Sequence, residues 1–289
     1  MEVKLGVFVI LCGLAVYAQD FSDYKISKVA TGYLYVDGPA WSPNGFLVFS
    51  DAASNRDWQI TPGVKAAVLR ENSNGADGNA FDPKGRRYAC ETHARRVVRI
   101  KKGEDEVLAD RWDGKRLNAP NDIAVRKDDQ VYFTDPAFGD QRDTRELDFY
   151  GVYHLSPKKG LEVIAKPKGR PNGITLSPDG KILYVTNSDE KNVRAYDLAK
   201  DGEASNERVL ISDIPGVPGG IRCDENGNLY VAAARIFIYS PDGRALGSIE
   251  VSERPSNLAF GDPDGKTLYV TARTSVYRVR LDVKGANLY

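Results

Sequence analysis

Two aspartates and two asparagines, Asp37, Asp77, Asn121 and Asn172, stand at the same place in a motif that the chain repeats six times. The copies read VDGPAW (36–41), ADGNAF (76–81), PNDIAV (120–125), PNGITL (171–176), PGGIRC (218–223) and PSNLAF (255–260). Their second residues are Asp37, Asp77, Asn121, Asn172, Gly219 and Ser256, at intervals of 40, 44, 51, 47 and 37 residues. Carboxylate and amide oxygens are the ligands that hard cations such as calcium, magnesium or manganese take. A carboxylate left free of the cation is a candidate general base. Asn, Asp and Gly are also turn formers, so any single copy is explained by a turn, and only the coincidence of four oxygen-bearing residues on one ring argues for a site.

A ring is what the surrounding elements provide. Each motif runs into an apolar strand, then a short turn (SPNG, DPKG, RKDD, SPDG, DENG or GDPDG), then a second apolar strand such as QVYFTD or ILYVTNS. Units of this length filled with short strands are propeller blades of roughly four strands each. The expected fold is all-β: a six-bladed β-propeller whose four-stranded antiparallel blades surround a central channel. Equivalent positions in the blades lie equally far from the axis, so the six second residues should converge on the channel mouth. Residues 21–31, which precede the first repeat, should close the ring by pairing with the last blade and so remove an exposed edge. Trp41, Phe81, Val125, Leu176, Cys223 and Phe260 are the expected core positions of the innermost strands.

Connections between the second and third strands should lie beside the same mouth. They include residues 51–56, 91–95 and 187–191, Arg235 and Arg273. The 136–149 insertion is a candidate lid, with Phe138 and Phe149 as covers. Among these, His93 is a candidate substrate hydrogen-bond partner or proton shuttle, and Asp135, closing VYFTD, joins the substrate-binding set with Asn121 and Asp122. His154 falls inside an outer strand and reads as structural. Neither histidine sits near a nucleophile-elbow pattern, which argues against a Ser-His-Asp hydrolase.

Residues 1–18 carry Lys4, an apolar run from Leu5 to Val16 and small residues before Gln19, the pattern of a secretory signal peptide. The expected organisation is thus a signal peptide at 1–18 and one propeller domain at 19–289, exported to a periplasm or secreted. Cys90 and Cys223 then remain, expected as two buried thiols rather than a disulfide. Equal numbers of acidic and basic side chains, 40 of each, point to no nucleic-acid or membrane partner. A small-molecule substrate and a monomer or weak dimer are expected.

The motifs GPAW with SPNGFLVFSD, NAPNDIAV with VYFTDP, and RPNGITLSPDGKILYVTNS resemble the senescence marker protein, gluconolactonase and luciferin-regenerating enzyme family across nearly the whole mature chain. ENSNG, CETHARRVVRI and FGDPDGKTLYVTAR resemble its bacterial lactonase branch. The resemblance implies a six-bladed propeller that binds a divalent ion, calcium first with magnesium, manganese and zinc as alternatives, and hydrolyses sugar lactones. It also implies metal ligands at Asp37, Asn121 and Asn172. The chain departs from the family pattern at three ring positions, the second carrying Asp77 where lactonase relatives tend to have Asn. Asp37 replaces a glutamate, and Gly219 stands where the family has an aspartate assigned to the metal and to general-base work. The catalytic carboxylates expected here are Asp77 and Asp37, with Asp122 orienting Asn121, and Gly219→Asp is expected to restore a missing ligand. Hydrolysis of another substrate such as an organophosphate, or a catalytically impaired binding propeller, are the alternative functions.

Overall fold

Short runs of β-branched and aromatic residues closed off by Gly- and Asp-bearing turns favour pleated strands over helices. In the computed structural model, which describes residues 24–102 and 104–286, they build six four-stranded antiparallel sheets. Blade four is representative. Pro171–Leu176, Ile182–Asn187, Asn192–Leu198 and Ala204–Ile211 pair in sequence order. Its first turn closes through Gly180 N–H donating to Ser177 O at 2.9 Å. Gly180 sits at φ +68°, where a side chain is strained.

Blades one to five take their four strands from consecutive sequence, whereas the sixth is completed by the amino-terminal strand. Ile26–Thr31 pairs antiparallel with Ser275–Arg280, closing the wheel as the sequence leads one to expect. The expected signal peptide at 1–18 and residues 21–23 of the closing segment lie outside the described residues. Among the described residues no helix is long and apolar enough to cross a membrane.

Hydrophobic cores form between neighbouring blades rather than within them. Trp41 of blade one stacks on Tyr269 of blade six with ring centroids 5.7 Å apart, and Tyr230 of blade five meets Phe260 of blade six edge-on at 5.3 Å. The six expected core residues are all buried, and Cys90 and Cys223 are buried free thiols in blades two and five. Trp41, Phe81, Val125, Leu176 and Phe260 line a cavity of about 70 Å³, with Ala286 of the carboxy-terminal segment among its walls. That segment is tied down by Ala286 N–H donating to Cys223 O at 2.9 Å.

Around the axis, hydrogen bonds connect every adjacent pair of blades at the level of the repeated motif. Asn79 Nδ2 donates to Gly38 O (2.8 Å), and Thr134 Oγ1 to Asn172 O (2.6 Å). Gly78 N–H donates to Asn121 O (2.7 Å), Gly173 N–H to Gly219 O (3.2 Å) and Gly220 N–H to Ser256 O (2.8 Å). Ser256 Oγ donates to Val36 O (2.7 Å) and completes the circle. The glycines after the ring positions therefore serve close approach between blades. A Cβ on Gly173 would lie 2.5 Å from Gly219 O, and one on Gly78 2.5 Å from Asn121 O.

Candidate active site

The ring residues owe their direction to irregular pairing. In blades one, two, four and six the ladder between first and second strands slips at the motif, between Asp37 and Ala40, Ala76 and Asn79, Pro171 and Ile174, and Pro255 and Asn257. A bulge re-aims a side chain that regular alternation would send into the blade. In blades three and five the regular strand starts only at Ile123 and Ile221, so Asn121 and Gly219 precede it. All six positions line one cavity of about 360 Å³.

Within it, Asn121 Nδ2 donates to Asp77 Oδ2 at 2.6 Å, and Asn172 Nδ2 donates to Ser188 Oγ at 3.1 Å. Both amide nitrogens are thereby committed, and among the described residues neither amide oxygen has a hydrogen-bond donor. Asp37 Oδ1 accepts its neighbour Gly38 N–H at 2.7 Å. Burial pushes the Asp37 carboxyl up to about 6, opposed by the Gly38 N–H and reinforced by the charge of Asp122. Asp77 is pushed well above the usual carboxylate range, by burial first and then by the charges of Asp37 and Asp122.

Two carboxylates that repel each other and two amide oxygens turned to a cavity suit a hard cation. Among the described residues no three His, Cys, Asp or Glu side chains gather closely enough to hold a metal, so a cation here would rely on the asparagines. Asp37, Asp77, Asn121 and Asn172 are the residues available to it.

Three members of the expected substrate-binding set stand elsewhere. Asp122 is fully buried beneath the ring, where Oδ2 accepts Ile174 N–H and Arg222 Nη1, each at 3.2 Å, and Oδ1 accepts Ile123 N–H at 3.0 Å. These bonds join three blades, and Asp122 is not among the residues lining the cavity. Asp135 is likewise buried, accepting Asn118 N–H at 2.8 Å and Ala119 N–H at 2.7 Å. It shapes the loop that carries Asn121. His93 is exposed and lies outside the cavity lining, its ring so close to Gly75 that a Cβ there would come within 2.3 Å. Of the insertion's two phenylalanines, Phe138 lines the cavity, whereas Phe149 packs against the core between blades two and three beneath Lys166, 4.1 Å away. Of the connections 51–56, 91–95 and 187–191 and of Arg235 and Arg273, Ser188 alone is in the lining. His154 is structural as expected, bonded to Gln130 Oε1 at 2.6 Å and stacked on Tyr132.

Tyr35, Arg170, Val217 and Arg254 line the cavity without having been singled out from sequence. All four lie two residues before a ring position, so the repeat alignment contained them. Their blade-two and blade-three counterparts are Gly75 and Ala119. Arg170 stacks on Phe138 at 4.6 Å and pairs with Asp189 through Nε–Oδ2 at 3.0 Å.

Gly219 is more than a lost ligand. A Cβ there would approach Ser256 O to 2.4 Å, and the Gly219 carbonyl accepts Thr186 Oγ1 at 2.6 Å. Blade five lies too close to blade six for a side chain at this backbone position. The expectation that an aspartate would simply complete the ring is therefore replaced by one of strain.

Fold and ring together define a six-bladed propeller with an oxygen-lined mouth. The family model described as SMP-30/Gluconolactonase/LRE-like region matches residues 21–274, and the chain belongs to that family. It is 34% identical to the gluconolactonase of Zymomonas mobilis across 90% of this chain and 82% of that protein. A gluconolactonase structure from Xanthomonas campestris superposes with a TM-score of 0.85 at 29% identity, covering 92% of each chain. The calcium-binding protein regucalcin from Agrobacterium tumefaciens gives a TM-score of 0.77 at 19% identity over 91% of this chain and 95% of that one, a likeness of fold alone.

Proposed function

We propose that the protein is a gluconolactonase-type lactone hydrolase that requires a divalent cation, calcium first. The observation that carries the reading is the meeting of Asp37, Asp77, Asn121 and Asn172 in one cavity. It gains support from extensive similarity to a gluconolactonase. The cation, when bound, supplies Lewis-acid polarisation of the lactone carbonyl.

The chain's own groups do the rest. Asp77, oriented by the Asn121 amide, takes a proton from water as the water oxygen bonds to the carbonyl carbon. The ring C–O bond then breaks, and the same proton passes to the departing ring oxygen to give the open hydroxy acid. Burial keeps the Asp77 carboxylate basic enough for this duty. Asp37, Asn121 and Asn172 contribute oxygens to the cation, while Phe138 and Tyr35 supply apolar walls for the sugar ring.

Turnover of a panel of lactones and phosphotriesters, with added calcium and with chelator, tests the reading. Calcium-dependent lactone hydrolysis is expected. Turnover of phosphotriesters alone would replace the substrate class, and turnover of neither would leave a binding propeller. We further propose export after cleavage near Gln19, to be checked by the intact mass of the product.

A further inference from the structure

The mouth of the cavity has a charge pattern that hydrolysis of a neutral sugar lactone does not use. Blades follow one another around the wheel, so blade five faces blade two across the channel. Asp37 and Asp77 belong to blades one and two. Arg170 and Arg254, two residues before the ring positions of blades four and six, flank blade five, where Gly219 contributes no side chain. The cavity is thus acidic on one side and basic on the other, with Gly219, which contributes no side chain, between the blades that carry the arginines.

The two cations differ in what they already hold. Arg170 is oriented by Asp189 and by the face of Phe138. Arg254 is exposed at the mouth, close enough to Tyr35 for its charge to act on that hydroxyl, and among the described residues it has no carboxylate partner. Its neighbour Glu253 is engaged by Thr274, Ser275 and Tyr277 instead. A guanidinium left without a carboxylate beside a pocket is suited to bidentate capture of a carboxylate or phosphate.

We infer that the substrate is an anionic lactone whose carboxylate or phosphate is held by Arg254, with Arg170, above Gly219 while its ring carbonyl faces Asp77. The inference rests on the lactonase reading for the reacting group, but the anion subsite can be tested apart from it. The opposed places of blades five and two in the wheel set the orientation: charge at the blade-five side, reaction at the blade-two side.

Turnover of gluconolactone, glucarolactone and phosphogluconolactone should be compared in the wild type, Arg254→Gln and Arg254→Lys, with calorimetric binding of gluconate and phosphogluconate alongside. The wild type should prefer the lactones with an added charge by about tenfold or more in kcat/KM, and Arg254→Gln should erode that preference by about tenfold to a hundredfold. Arg254→Lys should retain part of it, and added salt should weaken it. Charge-blind turnover, or a preference that survives Arg254→Gln, would overturn the subsite and leave the lactonase reading intact. Absence of lactone turnover together with tighter, Arg254-dependent binding of phosphogluconate would uphold the subsite and overturn the lactonase reading.

Discussion

Asn121 donates its amide N–H to Asp77 Oδ2 at 2.6 Å, linking the ring positions of blades two and three. The bond fixes the Asp77 carboxylate and turns the Asn121 oxygen away from it. One hydrogen bond thereby separates a carboxylate oxygen from an amide oxygen that has no donor among the described residues. In Asp77→Asn the basic oxygen is lost, and kcat for lactone hydrolysis should fall on the order of a hundredfold or more with little change in KM. Steady-state kinetics checks this, and an unchanged kcat would remove Asp77 from the reaction.

Chelation should abolish turnover, and calcium should restore it. Asp37→Asn and Asn172→Ala should each weaken calcium binding by roughly tenfold or more, because each removes a charged or dipolar oxygen from a small donor set. Isothermal calorimetry measures this directly. Calcium binding untouched by both substitutions would rule out the ring as the metal site.

Gly219→Asp should destabilise rather than rescue. Its Cβ would meet Ser256 O at 2.4 Å, so blades five and six must separate. Overpacking of this kind costs about 1–3 kcal/mol. A lowered urea midpoint with no gain in activity is expected, whereas higher activity at unchanged stability would show that the blades yield easily.

Asp135 carries a pH signature. Burial raises its carboxyl to about 7 against the N–H bonds from Asn118 and Ala119. The unfolded value is about 3.9, so the folded state holds the proton more tightly between those limits. This contribution to stability is full below the unfolded pKa and is lost as pH rises through the folded one. Asp135→Asn should flatten that slope, while costing about 1–3 kcal/mol by leaving a backbone N–H without its acceptor. Denaturation across pH measures both effects.

Removing residues 24–31 should leave Ser275–Arg280 as an open edge beside an incomplete core. Loss of cooperative unfolding and concentration-dependent aggregation are expected, read by scattering and circular dichroism. A monomeric, cooperatively folding deletion product would show that the wheel does not need this closure.

The six copies of the motif determined the architecture, because strand–turn–strand units at a near-constant interval can bury their faces only against one another. That same spacing placed Asp37, Asp77, Asn121 and Asn172 on a common ring and was sufficient to expect a cavity between them. Tyr35, Arg170, Val217 and Arg254 were legible too, two residues before each ring position, but residue type alone did not distinguish them from solvated loop residues. Asp122 and Asp135 mark the limit of sequence. Each lies in the motif or closes its partner strand, yet whether a carboxylate there meets substrate or backbone N–H groups depends on which neighbouring blade approaches it. Gly219 belongs with them: its sequence marks a missing aspartate, while the 2.4 Å approach of Ser256 O is set by the packing of blade five against blade six. Local spacing specifies which residues share a ring, but only the closed wheel brings distant backbone atoms close enough to decide what each side chain has left to offer.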